Sequence, residues 1–379
     1  MVFNVQTDLS IQYEYPSGTW NEIVADSFEV NIDRGIIVEN NVFARPDIGT
    51  ATVSMMKSSL ADLLTGPAYK SNQNFRIRYY DGSVWNPLFV GIIQNVGMQY
   101  VSETRKLAIQ ITANDLMKVM LNTQLSSFSI TGTTTNRSFK NVMGQLGSAV
   151  TAIDSRITLT QALSGGSSTT QWANTWIDTA SGEIFNQLLD AELGWMWADK
   201  ENNILYHTRS DINTLQGTSW NSTNLTISNV HTSASYHVCM DSIDLTYKSD
   251  DIANKVKVTE LVTGISSTST NSTSVTAYGA QLGVFEVTFD YGGISTRGDW
   301  ASQVSGAATP KRINSVTAPP IKRDGTTSVI LNPDIGSAVQ VEFASTGLPT
   351  LQEICLITRI GHTINADHWE MNLGLWKGI

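Results

Sequence analysis

From Val5 to about Ala113, apolar and polar residues alternate in short runs, as in Phe28-Glu-Val-Asn-Ile32 and Ala51-Thr-Val-Ser-Met55. A period of two places every second side chain on one face, so these runs predict strands with one face buried. Asp81-Gly82 lies between two β-prone runs, Phe75–Tyr80 and Val84–Ile93, where glycine supplies the positive φ of a tight turn. A second hairpin is predicted from Val90–Tyr100 across Ser102–Lys106 into Leu107–Thr112.

The period then changes. Asn114 is read as the N-cap of a short helix carrying Leu116, Met117, Val119, Met120 and Leu121. Residues 122–137 are rich in Ser and Thr and are expected to form a linker or loop. Ser138 is read as the cap of a helix whose stripe is Phe139, Val142, Met143, Leu146 and Val150. A third helix starts near Ser181, aligns Ile184, Phe185, Leu188, Leu189 and Leu193, and stops at Gly194. Trp195–Trp197 and Ile204–Tyr206 flank Asp199–Asn203 as a hairpin under that helix.

Alternation returns in Ile243–Tyr247, Val256–Leu261, Val284–Phe289, Ala338–Phe343, Glu353–Ile360 and Trp369–Leu375. It is interrupted by the Ser/Thr-rich stretch 265–275, a weak helix around 300–307, and a Pro-containing stretch 309–320 read as a return linker. Arg45-Pro-Asp-Ile-Gly-Thr-Ala-Thr-Val53 echoes Asn332-Pro-Asp-Ile-Gly-Ser-Ala-Val-Gln-Val341. The echo suggests two copies of one β-domain. The fold class expected is mainly β with an α+β insertion: a β-domain over 1–120, an α+β insertion over 121–240, a second β-domain over 241–262 and 313–379, and a small insertion over 263–312.

Composition narrows the function. Of the 379 residues, 41% are apolar, enough for real cores, but only 15% are charged, against roughly 25% in an average soluble protein. Ser, Thr, Asn and Gln must therefore supply much of the polar surface. A net charge of −10 argues against tight nucleic-acid binding, which relies on cations displacing counterions from phosphates. The N-terminal residues show no signal peptide, and no run of about 18 apolar residues occurs to span a membrane. Cys239 and Cys355 are expected to be unpaired, buried thiols, and the triplets at Asn136, Asn221, Asn224 and Asn271 to be products of composition rather than glycan sites.

No motif carries chemistry, and no catalytic, cofactor-binding or metal-binding residue is assigned. His362, Asp367, His368 and Glu370 lack zinc-site spacing, as do His231, His237 and Cys239. There is no Gly-x-Ser-x-Gly elbow, phosphate-binding loop or dinucleotide turn. Glu183, Asp190 and Glu192 could pair as glycosidase carboxylates but are read as a solvated helix face. Asp250-Asp251 reads as a turn, and Arg297-Gly-Asp299 as a coincidence. The basic pairs Lys311-Arg312 and Lys322-Arg323 either dock an acidic neighbour or solvate a linker.

Three stretches resemble the hub proteins of phage baseplates and tail tips: Ile32-Asp-Arg-Gly-Ile36 with Gly49-Thr-Ala-Thr-Val53; Leu88-Phe-Val-Gly-Ile-Ile93 feeding Ile109-Gln-Ile-Thr-Ala-Asn-Asp-Leu116; and Ile357-Thr-Arg-Ile-Gly-His-Thr-Ile364 to Trp369-Glu-Met-Asn-Leu-Gly-Leu375. The resemblance implies two tail-tube-like β-barrel or sandwich domains per subunit and a mechanical, non-enzymatic role in the virion, assembled in the host cytoplasm. It implies a homotrimer forming a pseudo-sixfold ring, with the tail-tube or distal tail ring on one face, a spike, fibre or tip protein on the other, and a tape-measure protein as a further partner. DNA would pass through without specific binding, a passage that an acidic wall suits. The competing readings are a receptor- or carbohydrate-binding β-protein of the virion tip, with exposed tryptophans, and a cell-wall hydrolase.

Overall fold

A computed structural model describes residues 4–39, 43–130, 139–157, 159–161, 174–217, 225–230, 236–247, 252–261, 263–288, 298–299, 301–302, 311–321, 329–347 and 350–377. The fold is mainly β. Strands β1 (Leu9–Glu14), β2 (Trp20–Glu22), β3 (Ser27–Glu39), β4 (Phe43–Pro46), β5 (Thr50–Lys57), β6 (Asn74–Tyr80), β7 (Trp85–Val101) and β8 (Lys106–Asn114) form the first module. Its hydrogen-bonded order is β3-β5-β8-β7-β6-β1-β2. Both predicted hairpins are present: Gly82 has φ 99° in the β6–β7 turn, and β7 pairs with β8 from Val101↔Lys106 to Ile92↔Asn114.

The α+β region begins with the helix Met117–Asn122. Its first turn is held by Asp115, whose Oδ1 accepts the Met117 N–H at 3.0 Å, whereas Asn114, the expected cap, accepts from Lys118 Nζ. Part of the expected 122–137 loop is a strand, β9 (Gln124–Ile130), which pairs with a later strand, so its serines line an edge rather than a linker. Helix Phe139–Ile153 buries its whole predicted stripe. After β10 (Leu159–Gln161) and β11 (Asn174–Ala180), the helix Ser181–Glu192 follows. It ends with Leu193, not Gly194, in the left-handed region at φ 56°. β12 (Trp195–Ala198) and β13 (Ile204–His207) form the expected hairpin, with β10 alongside.

All four residues of β12 are buried, which explains its unbroken apolar run: a strand covered on both faces has no polar side. Trp195 and Trp197 enter the core shared by the sheet modules, while Met196 and Ala198 enter the separate α+β core. Trp195 meets Trp376 edge-on at 4.9 Å, and Trp197 stacks on His207 at 4.7 Å. Neither tryptophan is presented to solvent, contrary to what a sugar-stacking surface at these residues would need.

β14 (Thr226–Ser228) and β15 (His237–Cys239) join the main sheet through β21 rather than the α+β unit in which they were expected. β16 (Ser242–Tyr247) belongs to the second module, but β17 (Lys255–Glu260), expected there too, forms a separate sheet with β18 (Ser266–Thr270) and β19 (Leu282–Val287). The small insertion therefore starts before residue 263. The Ser/Thr-rich stretch within it is ordered as β18 and the helix Ser272–Tyr278, which Asn271 caps by accepting the Ser274 N–H at 3.0 Å.

The expected return linker 309–320 contains a strand, β20 (Lys311–Ala318), held between β16 and β23. With β21 (Ala338–Phe343), β22 (Leu351–Ile364) and β23 (Trp369–Trp376) the second module has the order β16-β20-β23-β22-β21. This is the order β3-β5-β8-β7-β6 strand for strand. The long-strand hairpins even share a bulge, between Ile93 and Asn95 in β7 and between Ile357 and Arg359 in β22. Aligning those bulges makes Gly97 equivalent to Gly361, and through β8 and β23 makes Val53 equivalent to Val316.

The sequence echo marks something else. Residues 45–53 lead into β5, but 332–341 lead into β21, the counterpart of β6. What the two segments share is turn chemistry: Asp47 and Asp334 each accept the N–H of the following isoleucine at 2.8 Å.

Expectations at Asn136, Ser138, Asn221, Asn224, His231, Asp250-Asp251, Arg297, Lys322-Arg323 and most of 300–307 fall outside the described residues. Cys355 is buried and Cys239 exposed, both as free thiols.

Candidate functional site: the module junction and its polar wall

The two modules join edge to edge. The first half of β22 pairs with β21 and its second half with β3, in six antiparallel pairs from Arg359↔Gly35 to Ile364↔Val30. Alternation decides what each face of this junction contains. Toward the core, Val30, Ile32, Arg34, Ile360, His362 and Ile364 are all at most 4% exposed. A side chain at Gly35 would put Cβ 2.6 Å from the Thr358 carbonyl oxygen, so only glycine admits the β22 backbone there.

Two buried polar groups lie in this junction. Arg34 donates from Nη2 to Asp334 Oδ1 at 2.9 Å and from Nη1 to the Ala198 carbonyl at 3.3 Å. Asp334 Oδ2 also accepts the Lys200 N–H at 2.7 Å. Arg34 thereby ties the first module to the turn before β21 and to the β12–β13 turn. His362 is neutral, because burial, aided by the charges of Arg34 and Lys200, pushes its pKa down to about 3. Its Nδ1 accepts the Trp369 indole N–H at 3.3 Å. Nearby, burial pushes Asp115 up to about 7, against the pull of the Gly49 and Met117 N–H groups and of Arg34.

The opposite face of the sheet is polar and runs uninterrupted across the junction. One row of directly paired residues reads Thr50, Asp33, Gly361, Asn372, Thr317, Ser242, across β5, β3, β22, β23, β20 and β16. The next reads Asn95, Thr112, Thr52, Asn31, Thr363, Glu370, across β7, β8, β5, β3, β22 and β23. Two grooves lie on this face: one of about 840 Å³ reaching Glu29, Gln99, Gln110 and Asp367, the other of about 370 Å³ over the junction itself. The charges on this face include Glu29, Asp33, Asp244 and Glu370 against Arg312 and Arg359. Arg359 Nε donates to Asp33 Oδ1 at 2.6 Å, with both side chains nearly half exposed, a setting in which an ion pair contributes under about 1 kcal/mol.

The histidines and carboxylates weighed for chemistry lie in different settings. His362 is buried, while His368 is exposed and meets Glu370 at 3.5 Å. Among the described residues no three His, Cys, Asp or Glu side chains are placed to hold a metal. Glu183 is exposed and Asp190 pairs with Arg45, but Glu192, expected on a solvated face, is only 1% exposed, at the point where its helix turns onto Tyr206. No local pattern marks the polar wall as a unit, because it is assembled from eight strands that are distant along the chain.

No family model matches the sequence, and no curated protein matches it. Solved structures do. The chain is similar over 98% of its length to 98% of a 43 kDa tail protein of prophage MuSo2 from Shewanella oneidensis, with 13% identity and a TM-score of 0.63. A tail protein from Neisseria meningitidis matches 97% of the chain over 95% of its own, with 10% identity and a TM-score of 0.64. An Escherichia coli type VI secretion component, described as structurally similar to the T4 phage tail proteins gp27 and gp5, matches 98% of the chain over 77% of its own, with 8% identity and a TM-score of 0.53. The chain therefore has the fold of these phage tail proteins.

Proposed function

We propose that this chain is the structural hub of a phage tail tip or baseplate, three copies of which form a pseudo-sixfold ring around the DNA exit channel. The observation that carries this reading is the pair of modules with one strand order, already joined edge to edge within a single chain. A threefold ring of such chains presents six like modules, which lets it abut a sixfold tube on one face and a threefold spike or fibre on the other. The continuous polar face is the channel wall in this reading. Its hydroxyls, amides and net acidity offer phosphates few cations, so a duplex slides past without being held.

The test is the mass of the full-length chain in solution, by light scattering over a range of concentrations. Three times the 41.4 kDa subunit mass is expected, with no retention on duplex DNA at physiological salt. A monomer at every concentration, or tight DNA binding, contradicts the proposal.

A further inference from the structure

The internal junction has a counterpart that is left open. In β22, residues 359–364 pair with β23 on one side and β3 on the other. The equivalent residues of β7, Asn95–Tyr100, pair with β8 on one side, and among the described residues no strand lies on the other. Likewise the outer edge of β3 is covered by β22, whereas among the described residues β16, its counterpart, pairs only with β20. Each chain thus carries one used and one unused copy of the same two edges.

The side chains on the unused edges match this arrangement. On the core-facing side of the closed junction, His362 lies opposite Ile32 and Ile364 opposite Val30, all buried. Their counterparts are Met98 and Tyr100 on β7 and Leu245 and Ile243 on β16. Met98, Tyr100 and Leu245 are 36%, 44% and 37% exposed, although their strand partners Ile109, Leu107 and Ile313 are buried. Exposed apolar residues on an unpaired edge are what a sheet extends from, and what a soluble protein otherwise protects.

We infer that the β7 edge of one chain pairs antiparallel with the β16 edge of a second copy, in the register Tyr100↔Ile243, Gln99↔Asp244, Met98↔Leu245, Gly97↔Thr246. This register repeats the one joining β22 to β3. It brings Met98 against Leu245 and Tyr100 against Ile243, and it continues the polar wall through Gly97, Gln99, Asp244 and Thr246. The contact is heterologous: each copy uses a different edge on each side, so successive copies add in one rotational sense until they close. The inference rests on the hub reading, which supplies the number of copies at closure.

Cysteine cross-linking of the full-length chain tests it, in a Cys239→Ser background because Cys239 is exposed. Mixing chains carrying Met98→Cys with chains carrying Leu245→Cys is expected to give a disulfide-linked dimer under mild oxidation, with neither variant linking alone. A chain carrying both substitutions is expected to give a covalent trimer, and the pair Met98→Cys with Ile243→Cys, two residues out of register, to lose most of that yield. Trimers by light scattering without the Met98–Leu245 link overturn the edge pairing and leave the hub reading standing. A ladder of ever longer products supports the edge pairing and overturns the three-copy ring, and a chain that stays monomeric and unlinked overturns both.

Discussion

The two modules share a strand order and a bulge but differ in what their long hairpins touch. In the second module the β22–β23 hairpin is clamped on β3, and its core-facing residues His362 and Ile364 are buried. In the first, no strand among the described residues covers the corresponding edge of the β7–β8 hairpin, and Met98 and Tyr100 are exposed. One architecture thus serves as internal joint and as external edge. The lesson is that exposure of an apolar strand residue has meaning only against its equivalent in the other copy.

Substitutions at equivalent positions sharpen the contrast. Ile364→Ala is expected to cost the isolated chain about 3 kcal/mol, as in other fully buried aliphatic sites, while Tyr100→Ala at the equivalent position changes monomer stability by under about 0.5 kcal/mol and instead weakens assembly. Urea denaturation of dilute protein, paired with light scattering of concentrated protein, separates the two effects. Equal destabilisation by both substitutions would break the comparison.

Glycines give a second contrast. Gly35→Ala forces Cβ against the Thr358 carbonyl at 2.6 Å and is expected to cost about 2 kcal/mol through displacement of β22. Gly97→Ala on the open hairpin finds its nearest neighbour at 4.0 Å, so its denaturation midpoint stays within error of the parent.

The third contrast is acid sensitivity. His362, whose counterpart is Met98, has a folded pKa of about 3, below the roughly 6.5 of an unfolded chain. Its contribution is therefore complete above pH 6.5 and is lost as pH falls from there toward 3, by at most about 1.4 kcal/mol per pH unit. His362→Met, which installs the residue of the first module, is expected to make the change in stability from pH 6.5 to 5.5 more favourable than in the parent by about 1 kcal/mol; Asp115, raised to about 7, acts with the opposite sign in both proteins and cancels in the difference. An unchanged slope in the variant would assign the sensitivity elsewhere.

Much of this fold was legible, and the parts that were not share a physical cause. Alternation within β3, β5, β22 and β23 is local and reads directly from residues such as Phe28–Ile32 and Ala51–Met55. β20 was hidden because Asn314, Ser315 and Thr317, with Pro319-Pro320 just beyond, look like loop; its strand character comes from β16 and β23 on either side. β17 was visible as a strand, but its partners are not encoded in its own periodicity, so its sheet was misplaced. The duplicated Pro-Asp-Ile-Gly turn pointed to a repeat through strands that are not equivalent, since turn chemistry recurs wherever a chain must bend the same way. Of the site, the buried junction residues read as core, but the open edge did not: Met98 and Tyr100 alternate just as core residues do, and only the missing neighbour distinguishes them.

Electron microscopy of the purified full-length chain, averaged without imposed symmetry, tests the central claim most directly. The expected result is a threefold ring with six similar inner lobes around an axial hole wide enough for a DNA duplex. A solid particle, or a ring whose inner lobes do not alternate between the two modules, would contradict it.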